Sequence, residues 1–431
     1  MPSSEPPYTP GYGLQPPLLV GRDQLLGRVW AALGKGAGHP DLHQAWVGER
    51  GVGKTVAAQW VTDRAARELN WAVIRHQAVA GEEALQALVR RLPEALSPWR
   101  RLGREFRKLE KEVTLSVSLG VVSLSTTVRT NTGTTPVETV FESLVRRVGD
   151  FARNHDTGLL LVVDEALSLE RQPALAALSR SLQTANVEHL PIAAILTGLP
   201  SLRERFSGAG TYIRRIQKCE LGDLSPDAAR LALVEPATHR GVVFSPQALD
   251  LLVEQSRGLP YYVQLFGYHA WLAAGSADKI DLGHARAGLE EAYAQLDWEF
   301  GPAWERLSPL ERNYVTALAG IGPYEAPAEE VARVLGRTTR QLSTARDRLI
   351  NVHEVLEAPS FGVVGFRYKQ FADWALHRRL PAPPLGSAPA KLPRPTTSRQ
   401  PARSDGRSRA DNAAPTERRN SRQPPKGPGQ G

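Results

Sequence analysis

Sulfur is nearly absent from this sequence, which has one cysteine, Cys219, and one methionine among 431 residues. A single cysteine excludes an internal disulfide framework and a zinc site built from cysteines. Long apolar runs are missing as well, because no stretch approaches the ~18 consecutive apolar residues needed to cross a bilayer. The N-terminus has no basic segment followed by an apolar core, so it is not typical of a secretory signal. We therefore expect a cytoplasmic protein without membrane contact.

Most of the chain also has almost no net charge. The sequence has 53 Lys and Arg residues against 45 Asp and Glu residues, a net charge of +8. Residues 381–431 hold ten of the basic residues and three of the acidic ones, so this segment accounts for +7. Residues 1–380 are therefore nearly neutral, which argues against a globally basic nucleic-acid-binding body. Because residues 381–431 also hold 11 of the 33 prolines and few large apolar residues, we predict a disordered basic tail.

Strands and helices alternate in the first half of the sequence. Short aliphatic segments such as Leu159–Val163 and Ile192–Leu196 are typical of strands buried on both faces of a parallel sheet. After residue 222 helical periodicity dominates, until two short apolar stretches follow three helices near the C-terminus, which indicates a winged helix-turn-helix. The predicted divisions are a flexible lead at 1–16, an α/β domain at 17–222, a helical lid domain at 223–300, a winged helix-turn-helix domain at 301–380 and the tail at 381–431.

One stretch departs from the alternation of strand and helix. Residues Val113–Val128 alternate apolar side chains with Ser and Thr, the period of two that is typical of a half-exposed strand. Gly120 is suited to a turn or a bulge within it. We predict an inserted β-hairpin, which serves either as a structural edge ribbon or as a contact element for DNA or a neighbouring subunit.

A phosphate-binding motif lies between the first predicted strand and the helix that follows it. Residues 48–55 fit the pattern G-x-x-x-x-G-K-[ST]. The glycines of this pattern let backbone N–H groups face phosphate, and the following helix directs the positive end of its dipole there. We expect Lys54 to reach the β- and γ-phosphates and Thr55 to offer its hydroxyl to Mg²⁺. The predicted ATP ligands of this loop are Gly48, Glu49, Arg50, Gly51, Val52, Gly53, Lys54 and Thr55.

Two carboxylates follow the buried strand Leu159–Val163. They lie at the carboxyl end of a parallel strand, where such sheets bind ligands. We expect Asp164 to hold Mg²⁺ and Glu165 to orient or deprotonate the attacking water. Thr197, at the end of a further buried strand, is either a contact for the γ-phosphate or the lytic water, or a turn residue. Because another strand lies between the two motifs along the chain, the catalytic strand need not neighbour the strand before the phosphate loop.

Five motifs in this order resemble those of AAA+ ATPases of the origin-recognition and initiator type, with most likeness to a bacterial branch of ATP-binding proteins. The resemblance covers about residues 18–380 and includes features of signal-transducing STAND ATPases. It implies a P-loop NTPase (AAA+) core with a parallel sheet, a helical lid and a C-terminal winged helix-turn-helix. The motifs are Val20-Gly21-Arg22-Asp23, the phosphate loop, Val163-Asp164-Glu165, Thr197-Gly198-Leu199-Pro200 and Gly258-Leu259-Pro260-Tyr261-Tyr262.

The resemblance also assigns roles at the two ends of the nucleotide. Val20, Gly21 and Arg22 would pack on the adenine, and Thr197 would be the first sensor of the phosphates. The sequence departs from the initiator pattern at Tyr261, where initiators usually have an arginine.

An arginine finger, which completes the ATP site of a neighbour in an oligomer, is a further implication of the resemblance. Arg214 and Arg215 resemble it in position, because they precede the last predicted strand of the α/β domain. Arg203 and Arg205 are rival candidates. Each of these arginines could equally be a solvated surface charge.

Basic side chains cluster in the predicted winged helix-turn-helix. The second helix of such a motif enters the major groove of double-stranded DNA, and phosphate contacts from it would be salt-dependent. The alternative is that this domain contacts only proteins, as winged helices in many ATPases do. The predicted DNA contacts are Arg337, Arg340, Arg346 and Arg348 of this helix region, with Lys369 and Arg367 in the wing.

Three functions remain compatible with these observations. The first is an ATPase that couples ATP and Mg²⁺ binding and hydrolysis to assembly on DNA, acting as a homo-oligomer if the arginine finger is real. The second is a STAND-like switch whose winged helix binds a protein partner or its own ATPase domain. The third is a nucleotide-binding adaptor with negligible hydrolysis, which the carboxylate of Glu165 argues against.

Overall fold

The computed structural model describes most of the first 379 residues, with short gaps. The described ranges are 5–11, 13–79, 83–125, 137–166, 172–200, residues 202 and 206, 212–322 and 324–379. The predicted disordered tail at 381–431 lies outside these ranges.

A five-stranded parallel sheet forms the centre of the N-terminal part. Its order is β2-β3-β4-β1-β5, so the strand that carries the two carboxylates, β3, is separated from the phosphate-loop strand, β1, by β4. All residues of β1 and β4 are buried, as is typical of central strands in a sheet that is covered on both faces. The strands are β1 (His43–Val47), β2 (Ala72–Gln77), β3 (Leu159–Asp164), β4 (Ile192–Gly198) and β5 (Gln217–Glu220).

Helices cover both faces of this sheet. Alternate side chains of β3 point to opposite faces, because Leu160 and Val162 belong to one apolar core and Leu159, Leu161 and Val163 belong to the other. The predicted α/β fold with a parallel sheet is therefore confirmed. The helices of this part are α1 (Asp23–Lys35), α2 (Lys54–Glu68), α3 (Ala84–Ala95), α4 (Arg104–Ser125), α5 (Val137–Asn154) and α6 (Gln172–Val187).

The predicted β-hairpin at Val113–Val128 is wrong, because residues up to Ser125 belong to helix α4. Phe106, Leu109 and Val113 recur at helical spacing and are buried against α3 and α5. Leu115, which a strand would place on the same face as Val113, is 61% exposed. The alternation of apolar and hydroxyl side chains is thus overridden by tertiary packing of a helical stripe.

The N-terminal lead also differs from its prediction as a flexible segment. The Tyr8 ring is buried, and its hydroxyl donates to the Leu233 carbonyl oxygen over 2.6 Å. The Thr9 backbone N–H donates to the Gln264 side chain over 3.1 Å. One aromatic residue anchors a Pro- and Gly-rich segment whose composition alone is typical of disorder.

Four helices form the part that follows β5. Helix α7 begins as a Ser-Pro pair favours, since the Ser225 hydroxyl accepts from the Ala228 N–H and Pro226 fills the first helical position. The prediction missed a two-residue parallel pair, β6 (Val243–Phe244) with β7 (Lys279–Ile280). The helices are α7 (Pro226–Thr238), α8 (Pro246–Ser256), α9 (Pro260–Ala274) and α10 (Leu282–Glu305).

The C-terminal part combines four helices with a three-stranded antiparallel sheet of order β8-β10-β9. Its first six elements follow the order helix, strand, helix, helix, strand, strand, as the winged helix-turn-helix prediction requires. A fourth helix, α14, was missed. The elements are α11 (Pro309–Ile321), β8 (Glu325–Pro327), α12 (Ala328–Val334), α13 (Ser343–Asn351), β9 (Leu356–Glu357), β10 (Val363–Phe366) and α14 (Lys369–Arg379).

Candidate nucleotide site

The phosphate-loop motif lies between the end of β1 and the start of α2, as predicted. Gly53 precedes α2 with a φ of +87°, in the left-handed region that favours glycine. Gly48 is restricted by space instead, because a Cβ there would lie 2.2 Å from the Leu221 carbonyl oxygen. The two glycines therefore let the loop turn sharply and lie close to the residue after β5.

The Lys54 side chain is buried inside the loop. Its Nζ donates to the carbonyl oxygens of Gly48 and Glu49 over 2.7 and 2.9 Å. Burial lowers the pKa of Lys54, while the nearby carboxylates of Glu165 and Asp164 act in the opposite direction. The ammonium group is thus held by the loop's own backbone next to the two acidic residues.

The carboxylate of Asp164 joins three segments at the carboxyl edge of the sheet. Its Oδ2 accepts from the Thr55 hydroxyl over 2.6 Å. Its Oδ1 accepts from the Thr197 hydroxyl and, over 3.1 Å, from the Glu165 backbone N–H. Thr197 is fully buried and pairs with Trp46 of β1, so β4 places it between the phosphate loop and Asp164.

Glu165 has a left-handed backbone, with a φ of +53°. This conformation is uncommon for residues other than glycine, and such strain is concentrated at functional sites. The Glu165 Oε1 lies 3.8 Å from the Arg50 Nη1. A loop arginine and the predicted base therefore face each other across the site.

The residues that meet here suit a nucleotide and a divalent cation. A cavity of about 370 Å³ is lined by Lys54, Thr55, Asp164 and Glu165 at one end, a volume within the usual range for small-molecule sites. Hydroxyl and carboxylate oxygens are ligands that Mg²⁺ prefers when phosphate supplies the rest. Among the described residues no group of three or more His, Cys, Asp or Glu side chains could hold a metal alone.

The predicted adenine-packing segment also lies along the cavity. Val20 and Arg22 line it, and Gly21 has a φ of +69°. The Arg22 Nη2 donates to the carbonyl oxygens of Val52 and Gly222 over 3.0 and 2.5 Å. Arg22 therefore ties the phosphate loop to the end of β5, a role that the sequence did not indicate.

Two segments that the sequence analysis did not connect with the nucleotide also line the cavity. Residues of the N-terminal lead, including Thr9 and Leu14, lie along it. Tyr368 and Gln370, at the start of α14, lie along it as well. The Arg50 guanidinium stacks 5.2 Å from the centre of the Tyr368 ring. No motif marks either segment, because each reaches the cavity only through tertiary packing.

The lid residues at the position of the second sensor take up a different arrangement from the initiator pattern. Tyr261 lines the cavity. Arg257 points instead to the C-terminal part, where its Nη1 lies 2.8 Å from the Asp373 Oδ1. Asp373 is buried and also accepts from the Tyr324 hydroxyl over 3.2 Å. The lid cation nearest in sequence to Tyr261 is thus used to hold α14.

The arginine-finger candidates lie away from the chain's own cavity. Arg214 and Arg215 are exposed just before β5, beside Tyr212, whose hydroxyl lies 2.6 Å from the His43 Nδ1 at the start of β1. His43 is at the amino-terminal end of β1, whereas the phosphate loop follows the carboxyl-terminal end of the same strand. A finger from this position could act only in a neighbouring subunit. Arg203 and Arg205 lie outside the described residues.

The predicted DNA contacts differ in how exposed their side chains are. Arg337 and Arg340 are exposed in the turn between α12 and α13, and Arg346 on α13 is half-buried. Helix α13 begins at Ser343, after a turn that two reciprocal hydrogen bonds between Thr338 and Gln341 close.

Three of the predicted DNA contacts have carboxylate partners within the protein. The Arg348 Nε lies 2.8 Å from the Oε1 of Glu311, a buried carboxylate. Lys369 was predicted in the wing, and this placement is wrong. Lys369 begins α14, where its Nζ lies 3.2 Å from the Asp223 Oδ2 at the cavity side of the lid. The other wing candidate, Arg367, lies 2.9 Å from the Glu354 Oε2.

Comparison with families of known proteins finds a match over the residues that form the phosphate loop and the acidic pair. Residues 43–206 match the family model of the AAA domain. This part of the chain therefore has the P-loop fold of an AAA domain. Residues 299–375 match a model described only as a domain of unknown function. No match was found among curated proteins. The resemblance to AAA+ ATPases that the motifs predicted is therefore confirmed, and so is the predicted P-loop fold with a parallel central sheet.

The similarity to one solved structure extends beyond the AAA domain. The chain is similar to the Walker-type ATPase PABY2304 of Pyrococcus abyssi, with 15% identity, a TM-score of 0.52, and coverage of 83% of this chain and 96% of that one. It is also similar to the ORC2 protein of Aeropyrum pernix in its ADPNP–ADP complexes, with 16% identity, a TM-score of 0.48, and coverage of 85% and 95%.

Among the described residues, no helix combines the length and the apolar character that crossing a membrane would need.

Proposed function

We propose that this protein binds and hydrolyses ATP with Mg²⁺. The observation that supports this most is the meeting of Lys54, Thr55, Asp164 and Glu165 at one end of a single cavity. Thr55 and Asp164 would hold Mg²⁺, and Lys54 with the loop N–H groups would bind the β- and γ-phosphates. The cation would neutralise charge that develops on the phosphate oxygens.

The residues around Asp164 suit hydrolysis as well as binding. Glu165 lies next to the proposed Mg²⁺ ligand, and its carboxylate is free to orient a water and accept its proton once Arg50 turns toward phosphate. Thr197 is held by its hydrogen bond to Asp164, so the position of its hydroxyl depends on the group that Asp164 binds. We infer that Thr197 reports the phosphate state to β4.

We propose further that ATP turnover is coupled to double-stranded DNA or to assembly on it. The exposed Arg337 and Arg340, with Arg346 on the next helix, support phosphate contact from the C-terminal part. The basic segment 381–431 would add salt-dependent, non-specific attraction. Arg214 or Arg215, distant from the chain's own cavity, would complete the site of a second subunit in a homo-oligomer.

A second candidate is a signalling switch in which the C-terminal part binds the chain's own ATPase domain. One observation favours it: the start of α14 lies on the phosphate loop through Tyr368 and Arg50, and on the lid through Lys369 and Asp223. In this case nucleotide would control the release of the C-terminal part for a protein partner.

The substitution Glu165→Gln tests the hydrolytic site. It removes the proton acceptor but keeps the shape of the side chain, so ATP affinity should stay within about twofold while turnover falls by roughly 100-fold or more. Both are measured on the full chain, by fluorescent-nucleotide titration and by phosphate release. Glu290→Gln, on an exposed carboxylate of α10, is the control. Turnover by Glu165→Gln at the wild-type rate would contradict the proposed role.

Duplex DNA distinguishes the two candidate functions. Turnover that DNA stimulates, with the stimulation falling steeply as salt is raised, supports coupling to DNA. Slow turnover that is indifferent to DNA at every salt concentration supports the switch.

A further inference from the structure

Gln370 is a buried amide for which the fold alone gives no reason. Its side chain is 3% exposed, and its Oε1 has no hydrogen-bond partner. Buried polar atoms without partners are uncommon, because each loses its interaction with water and gains nothing in return. A leucine or methionine would fill the same space without this cost, so the amide itself calls for an explanation.

The amide lies against the phosphate loop. A Cβ added at Gly51 would be 2.4 Å from the Gln370 Nε2, so the side chain occupies the space that glycine leaves open. Gln370 lines the same cavity as Lys54, Thr55 and Asp164. Backbone N–H groups of this loop type surround the phosphates of a bound nucleotide. The amide is therefore at the phosphate end of the cavity.

Contacts with the lid set the position of Gln370. The Tyr262 hydroxyl of the lid donates to the Gln370 backbone carbonyl over 3.0 Å. One residue earlier, Lys369 is paired with Asp223, and three residues later Asp373 is paired with Arg257. The lid thus holds the first turn of α14 on both sides of the amide.

The chemistry of an amide suits a phosphate oxygen. Oε1 is an acceptor, so it cannot pair with a phosphate oxygen as it stands. The amide Nε2 offers two donors, and rotation of the amide about the last side-chain bond would place one of them where Oε1 lies. A donor that carries no charge can approach the phosphates without competing with Lys54 for its position. Among the described lid residues, no Lys or Arg lines the cavity, and Arg257 is paired with Asp373.

We propose that Gln370 binds the terminal phosphate of a nucleoside triphosphate in the same chain. The amide donates to a γ-phosphate oxygen, and this contact makes docking of α14 on the phosphate loop depend on which nucleotide is bound. ADP lacks this oxygen, so it leaves the amide without its partner. The proposal rests on the proposed nucleotide site, and it adds a residue from the C-terminal part that distinguishes ATP from ADP.

The test compares ATP with ADP affinity in the full chain. Gln370→Leu keeps the volume and removes the donor, so ATP affinity should fall by roughly tenfold while ADP affinity stays within about twofold. Gln370→Glu places a negative charge beside phosphate and should weaken ATP binding more than Gln370→Leu does. Gln295→Glu, on the exposed face of α10, makes the same change of charge away from the cavity and should leave both affinities unchanged.

Hydrogen exchange in α14 is a second measurement that a merely structural role would not affect. In the wild type, ATP should slow exchange of the backbone amides of residues 371–375 more than ADP does. In Gln370→Leu the two nucleotides should give equal protection. If Gln370→Leu does not fold, as judged by its thermal unfolding, Gln370→Asn keeps an amide that is too short to reach and should lose the same preference.

Equal loss of ATP and ADP affinity in both Gln370 variants, or no loss, would overturn the proposal and leave Gln370 as a packing residue. Failure of the proposed function looks different. If Lys54→Ala binds ATP as tightly as the wild type, the nucleotide site itself is assigned wrongly, whatever the Gln370 variants do.

Discussion

Two groups of positive charge in this protein differ in how they are built. Lys54 is buried and held by backbone carbonyls of its own loop, next to two carboxylates. Arg337 and Arg340 are exposed in a turn between two short helices. The Lys54 ammonium is held in one position before a ligand binds, so it favours a ligand whose anionic group fits that position. Arg337 and Arg340 carry their charges on exposed side chains, so salt screens their attraction to an anionic partner.

Arg348 shows that membership of a basic cluster does not define a role. It lies on the same helix as Arg346, but its guanidinium is paired with the buried carboxylate of Glu311. Glu311 also caps its own helix by accepting from the Ser308 N–H over 2.7 Å. Arg348 therefore stabilises the C-terminal part, whereas Arg337 and Arg340 remain available to a partner.

The largest expected effect is at the buried lysine. Lys54→Ala removes the only ammonium at the phosphate end of the cavity among the described residues, so ATP affinity should fall by about 100-fold. Isothermal titration of the full chain with ATP measures this. Lys35→Ala, at the end of α1 and outside the cavity, is the control. If Lys54→Ala binds ATP as tightly as the wild type, Lys54 does not select the ligand, and the difference drawn between the two groups of charge is wrong.

The exposed pair should give a smaller and salt-dependent effect. Replacing Arg337 and Arg340 together by alanine should weaken binding to duplex DNA by roughly tenfold at low salt and reduce the steepness of its salt dependence. Fluorescence anisotropy across a salt series measures both. The matched control replaces Arg240 and Arg286, two exposed arginines of the lid. An equal loss in the control would mean that net charge alone, and not this turn, attracts DNA.

The smallest expected effect separates Arg348 from its neighbours. Arg348→Ala leaves Glu311 without its charged partner and should lower the free energy of unfolding by about 1 kcal/mol, since Arg348 is itself half exposed. Urea unfolding measures the change. Arg333→Ala breaks an exposed pair with Glu330 and should cost less. A loss of DNA affinity as large as that of the exposed pair, with no loss of stability, would place Arg348 with Arg337 and Arg340.

The same variant has a defined pH dependence. Burial alone would raise the pKa of Glu311, but hydrogen bonds from Ser308 and Arg348 outweigh it and hold the pKa at about 2. A pKa below that of the unfolded chain means that the carboxylate stabilises the fold at neutral pH and stops doing so as the pH falls toward 2. The difference in stability between the wild type and Arg348→Ala should therefore shrink on acidification below about pH 4.5.

Prediction from the sequence succeeded where a motif is contiguous and failed where packing decides. The phosphate loop and the Asp164-Glu165 pair follow strands that the sequence indicates, and the structure places both at one edge of the sheet. The stretch from Val113 fits both a strand and a helix by its side-chain pattern, and only its burial against α3 and α5 decides between them. Lys369 was assigned to the wing because its distance from β10 along the chain is short.

The sequence by itself determined the parallel α/β core, the phosphate loop and the acidic pair, because short-range patterns of burial and backbone geometry specify them within a few residues. Only the tertiary structure decided that Tyr8 anchors the N-terminal lead, that Arg257 holds Asp373, and that Gln370 reaches Gly51 from more than 300 residues away in the chain. These contacts join segments whose local sequences are compatible with many partners. Their pairing depends on the shapes of folded surfaces, which no local pattern records.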